Sequence, residues 1–124
     1  MKKQVLAMGG GGFTSKPQNL KLDEYLLTLS DKKNPKVCFI PTASGDDESY
    51  RRRFYSSYKK LNCETSHLSL FWPPEGDLRE FVLDKDIFYV GGGNTRNLML
   101  LWKEWSLDVY LEEAWNKGAI MAGL

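Results

Sequence analysis

"IFYVGGGNT", Ile87 to Thr95, carries three signals in one short stretch. Ile87-Phe88-Tyr89-Val90 is apolar without alternation, Gly91-Gly92-Gly93 follows, and Asn94-Thr95 opens a segment whose apolar residues recur at helical spacing. A strand that is apolar on both faces has to be covered on both. That is the signature of a parallel sheet with helical crossovers. Open parallel sheets bind ligands outside the carboxyl ends of their strands, so the glycine turn lies on the edge where a site would form.

The same pattern extends in both directions. Val5-Leu6-Ala7-Met8 runs into Gly9-Gly10-Gly11-Gly12, Val37-Cys38-Phe39-Ile40 stops at Pro41, and Ala119-Ile120-Met121-Ala122 runs into Gly123. Strands are expected near 4–8, 36–41, 65–71, 86–90 and 119–123, the third cut off by Pro73-Pro74. Between them lie amphipathic segments. Leu22, Tyr25, Leu26 and Leu29 make the stripe of a helix over 20–29, and Tyr50, Phe54, Tyr58 and Leu61 that of a helix over 46–61. A short helical turn spans 78–83, and two more helices span 95–105 and 107–116, with Gly118 as a C-cap. The fold class is α/β: a doubly wound, mostly parallel sheet with helices on both faces, without repeats or a linker.

Length and composition set the bounds. The chain has 124 residues, enough for one small domain and not for two. A formal net charge of +1 gives no electrostatic case for nucleic acid or an anionic membrane. Arg51-Arg52-Arg53 follows Asp46, Asp47 and Glu48, as expected of a solvated helix with acids in its first turn. Cys38 and Cys63 sit in strand-like contexts without a CxxC partner and read as reduced core thiols. No stretch has the length of a membrane span, and the start of the chain does not read as a secretory leader. The expectation is a cytoplasmic protein.

Both glycine turns fail as nucleotide cradles. In Gly9 to Gly12 the third glycine of G-x-G-x-x-G would be Thr14 or Ser15, and the second strand ends in Ile40-Pro41-Thr42 with no acid at its tip. Neither turn is followed by the GK[ST] of a Walker loop. The reading is no cofactor and no metal. Gly91 to Gly93 is different, because three residues without Cβ bring backbone N–H groups close to a ligand just where a helix begins. Free donors and the positive end of the helix dipole converge there, an arrangement that suits a carboxylate, a phosphate or an oxyanion.

Phe39-Ile40-Pro41-Thr42-Ala43, Val90-Gly91-Gly92-Gly93-Asn94-Thr95 and the closing Gly123-Leu124 resemble the peptidase E family, which includes alpha-aspartyl dipeptidases and cyanophycinases. The resemblance spans essentially the whole chain. It implies the flavodoxin-like architecture of class I glutamine amidotransferases and a serine-type peptidase acting on small peptides without metal or cofactor, aspartyl dipeptides among the candidates. In that family the last strand leads into a G-x-S-A-G elbow, whose first two positions Gly123 and Leu124 match. The chain would then be the N-terminal portion of one α/β domain, ending one residue before the nucleophile. With nucleophile, base and orienting residue beyond Leu124, these 124 residues alone would be inactive, since losing the nucleophile costs on the order of a million-fold.

By the same resemblance the Gly93 N–H supplies one oxyanion donor, Gly92 shapes the turn, and Asn94 and Thr95 contact substrate. Ser44 and Gly45 would border the cleft. His67, the single histidine, lies in the third strand and reads as structural or surface. Gly9-Gly10-Gly11-Gly12-Phe13 is less typical of the dipeptidases and suggests a branch whose substrate need not be an aspartyl dipeptide. A small peptide is the expected partner, with a homodimer left open. The alternative is a non-catalytic glutamine-amidotransferase-like module that binds a small anion or carboxylate at Gly91 to Thr95.

Overall fold

The computed structural model describes residues 2–72 and 75–124. Five strands, β1 (Gln4–Ala7), β2 (Lys36–Ile40), β3 (Glu64–His67), β4 (Ile87–Val90) and β5 (Ile120–Gly123), form one sheet in the order β1-β5-β4-β2-β3. Every pairing is parallel, so all five carboxyl ends lie on one edge. The helices are α1 (Gly12–Ser15), α2 (Lys21–Thr28), α3 (Glu48–Tyr58), α4 (Leu78–Leu83), α5 (Thr95–Glu104) and α6 (Leu107–Asn116), with a 3-10 turn at Thr42–Ser44. This is the doubly wound α/β fold expected from the uninterrupted apolar strands.

Alternate side chains of the central strands divide the core in two. Val37, Phe39, Ile87, Tyr89, Ile120 and Ala122 face α1, α2 and α3, where they meet Phe13, Leu26, Tyr50, Phe54 and Tyr58. Cys38, Ile40 and Phe88 face α4, α5 and α6, where they meet Val82, Leu98, Trp102, Leu107 and Leu111. The first layer is strongly aromatic. Phe39 stacks on Phe54 at 4.9 Å, Phe54 on Tyr58 at 4.6 Å, and Phe13 meets Phe39 edge-on at 5.5 Å. Such pairs add about 0.5–1.5 kcal/mol each beyond the area they bury.

Several details depart from the sequence reading. In α2, Tyr25 is exposed and Asp23 is buried, because the helix turns its Asp23–Leu26 edge inward so that Asp23 Oδ1 accepts from the Tyr58 hydroxyl at 2.7 Å. The glycine run does not end in a plain loop: Gly12 to Ser15 close one helical turn, which Phe13 anchors in the aromatic layer. β1 is an edge strand covered on one face only, leaving Val5 64% exposed on the other.

β3 stops at His67, short of 71. Asp46 Oδ2 accepts from the Ser69 hydroxyl at 2.6 Å and from the Leu70 and Phe71 N–H groups at 2.9 Å, which curls the chain off the sheet. The Pro73-Pro74 stop lies outside the described residues. Asp46 adopts a left-handed φ of 57° before α3, whose N-cap is Asp47, accepting from the Tyr50 N–H at 2.9 Å. The helix read from 46 therefore begins at Glu48.

Cys38 is buried and its thiol is pushed up to about 12 by desolvation, while Cys63 is only partly buried; both are free. Among the described residues no helix is long and apolar enough to cross a membrane.

Candidate functional site

The strand order reverses between β2 and β4. From β2 the chain steps outward to β3, then returns past β2 to β4 and on to β5. Neighbouring parallel strands whose connections depart in opposite directions open a crevice at their carboxyl ends. Ile40 is level with Val90, so the turn Thr42–Ser44 and the loop Gly91–Asn94 rise side by side from that crevice. Val90 is in turn level with Gly123, which brings the end of β5 to the same place.

The glycine loop is fixed from both sides. Gly91 N–H donates to the Ile40 carbonyl at 3.1 Å and Asn94 N–H to the Ala43 carbonyl at 2.7 Å. A Cβ on Gly91 would stand 2.9 Å from the Tyr50 ring, closer than side-chain carbons approach. Gly93 has φ 147°, and a Cβ there would overlap the backbone of Ala43. Only glycine meets both demands at that position. Gly92 N–H donates to the Tyr50 hydroxyl at 3.3 Å. The N–H groups before and after Gly93 thus have acceptors, whereas the Gly93 N–H has none among the described residues.

The residues singled out in the sequence converge on this crevice. Gly92 faces Leu124, since a Cβ on it would lie 3.6 Å from the Leu124 side chain, and Leu124 N–H points back to the Val90 carbonyl at 3.4 Å. Asn94 caps α5, its Oδ1 accepting from the Asn97 N–H at 2.9 Å, and Thr95 is the exposed first residue of that helix. No acidic residue stands in the first turn of α5, which leaves its dipole end uncompensated. Ser44 lies across the loop with its hydroxyl donating to the Pro41 carbonyl at 3.0 Å. The hydrophobic side of α5 is tied to the same turn: Trp102 Nε1–H donates to Thr42 Oγ1 at 3.1 Å.

His67 lies away from the crevice, on edge strand β3. Its Nδ1 is 2.6 Å from the Tyr55 hydroxyl and its Nε2 is 3.4 Å from Arg51 Nη1. Burial, and then the guanidinium beside it, hold its pKa below the ordinary imidazole value. Of the arginine run, Arg52 pairs with Glu48 in the solvated manner expected, while Arg53 reaches the Thr14 carbonyl at 3.2 Å and covers the Tyr50 ring at 4.8 Å.

Sequence reasoning missed Tyr50 and Thr14 as polar parts of the site. Tyr50 was legible as one of four apolar residues in a helical stripe, which hides its hydroxyl. The usable signal was its type: a buried tyrosine needs a partner for its O–H, where phenylalanine would not. Among the described residues no group of three His, Cys, Asp or Glu side chains could hold a metal ion.

Residues 5–124 match the model of peptidase family S51. The chain is 57% identical over 122 residues to a Bacillus subtilis (strain 168) protein named "Uncharacterized peptidase YgaJ", covering 98% of this chain and 53% of that one. In fold it is similar to the crystal structure of a "Putative Peptidase E Protein" from Listeria monocytogenes EGD-e, with TM-score 0.73, 21% identity, and 98% of this chain against 57% of that one covered. A peptidase from an acI-B1 Actinobacterium is similar with TM-score 0.69 and 22% identity, over 96% of this chain and 52% of that one. The chain spans about half the length of these relatives.

Proposed function

We propose, from the premise that this chain belongs to peptidase family S51, that it is the N-terminal portion of a serine-type peptidase domain and builds half of its oxyanion hole. The observation that carries the reading is the Gly93 N–H. It stands without an acceptor among the described residues, between two pinned peptides, at the crevice where β4 and β5 end. A tetrahedral intermediate needs fixed donors of this kind aimed at the oxygen that becomes negative, and each is worth on the order of a hundredfold or more in turnover.

In this reading a serine beyond Leu124 attacks the peptide carbonyl, and a histidine takes its proton and returns it to the leaving amine. Gly93 N–H stabilises the oxyanion together with the N–H of the residue after the serine. Gly92 sets the turn, while Asn94, Thr95 and Ser44 border the substrate. Substrates are small peptides, aspartyl dipeptides among them. Residues 1–124 alone hold the donor loop without nucleophile or base, and the expectation for them is no peptidase activity.

The uncompensated dipole end of α5 also favours the second reading, a module that binds a carboxylate or other small anion at Gly91 to Thr95 without cleaving anything. One experiment separates the two. The product of the complete reading frame is offered a panel of small peptides and, separately, a fluorophosphonate probe. Hydrolysis together with labelling of a single serine supports the peptidase. Carboxylate binding without hydrolysis or labelling would leave the binding module in its place.

A further inference from the structure

The loop that carries Gly93 is not held by its own strand alone. Tyr50, in the first turn of α3, is buried, and its phenol oxygen accepts from the Gly92 N–H at 3.3 Å. The same oxygen lies 2.9 Å from Thr14 Oγ1, in the helical turn after β1. Gly92 N–H can only donate, so the phenol oxygen accepts from it, and Thr14 gives that oxygen a second hydroxyl partner, in a contact where either group can be the donor. The Tyr50 ring lies close against Gly91 and under the Arg53 guanidinium. Arg53 also donates to the Thr14 carbonyl at 3.2 Å, which ties α3 to α1 a second time. One side chain therefore joins the loops that leave three strands: β1 through Thr14, β2 through α3, and β4 through Gly92.

We propose that Tyr50 is a positioning residue, its hydroxyl acting with Thr14 Oγ1 to set the direction of the Gly93 N–H. This inference rests on the peptidase reading above. The Gly91–Gly92 peptide is held by Tyr50 and the Gly93–Asn94 peptide by the Ala43 carbonyl, so the Gly92–Gly93 peptide that carries the donor is fixed at both ends. Without the phenol oxygen, the Gly92 N–H loses its acceptor and the Gly91–Gly92 peptide is free to rotate, carrying the donor off its line. A side chain that merely filled space beside Gly91 would need the ring and not the hydroxyl. The threonine completes the device, because its hydrogen bond to the phenol oxygen holds that oxygen in place beside the loop.

The test uses the product of the complete reading frame. Tyr50→Phe retains the ring and removes only the hydroxyl. The expected result is a fall in kcat of about tenfold with KM changed less than about twofold, the size of effect a small misalignment produces. Amide exchange at Gly92, followed by NMR, is expected to speed up in the same variant. Thr14→Val is expected to lower kcat by a smaller factor, and the double variant to fall no further than Tyr50→Phe alone. Should Tyr50→Phe not fold, Thr14→Val alone decides by the same two measurements.

An unchanged kcat with unchanged Gly92 exchange overturns the proposal, as does a rise in KM at constant kcat. If the parent protein hydrolyses no peptide, the peptidase reading fails by itself. Gly92 exchange then decides the positioning device: faster exchange in Tyr50→Phe keeps it and unchanged exchange removes it.

Discussion

Asp23 is only 1% exposed, among rings rather than charges. Its Oδ1 accepts from Tyr58, and its Oδ2 has no partner among the described residues. Burial raises its pKa above the ordinary 3.8, and the Tyr58 hydrogen bond offsets that only in part. The sign follows from linkage: the folded state holds this proton more tightly than the unfolded chain does. The contribution of Asp23 to stability is therefore full below the unfolded value and is lost as pH rises through the folded one. Glu48, Asp84 and Glu113, whose pKa values are lowered by Arg52, Lys36 and Arg79 beside them, act in the opposite direction. A comparison with Asp23→Asn cancels those exposed groups, and asparagine keeps the acceptor for Tyr58. Urea unfolding of both proteins from about pH 3 to pH 7 is expected to show the parent losing stability relative to the variant as pH rises. Parallel curves would mean that the carboxyl group does not titrate against burial.

α1 shows at the scale of the element what one anchor does. A four-residue helix has no stability of its own, since nucleation alone outweighs its hydrogen bonds. It persists because Phe13 is fully buried among Phe39, Tyr50, Phe54, Tyr58 and Tyr89. Phe13→Ala is expected to cost about 3–5 kcal/mol in urea unfolding; a loss below about 1 kcal/mol would show that α1 is held by something else. This element was hidden in the sequence by the four glycines before it, which argue for a loop and carry no helical period. By contrast, β2, β4 and β5 and helices α4, α5 and α6 were legible, because continuous apolar runs and amphipathic stripes report burial directly. What stayed illegible were polar groups with tertiary partners. Asp23 inside α2 and Asp46 under the Ser69–Phe71 curl look like ordinary surface acids until their partners, 35 and 24 residues away at Tyr58 and Leu70, are known. At the site, the glycines of the loop could be read from sequence, because no other residue suits that backbone, whereas the Tyr50 and Thr14 hydroxyls that hold it could not.

For the molecule as a whole, the sheet separates two cores that share strands but not side chains. Phe54 is buried on the face of α1, α2 and α3, and Leu107 on the face of α4, α5 and α6. Phe54→Leu and Leu107→Ala share no partner across the sheet, so their costs are expected to add within about 0.5 kcal/mol in the double variant. A coupling well above that in a double-mutant cycle would mean that strain passes through the strands. The sheet order also governs how the chain reaches this state. Among the described residues β5 lies between β1 and β4, and Gln4 to Ala7 pair with Ile120 to Gly123. Of these five strands β1 is translated first, and its ladder to β5 stays unmade until the other four have been translated. Closing that longest loop is the costly entropic step, and it places the β1 turn, with Thr14, on the site only when β5 has already delivered Leu124 to the other side of it.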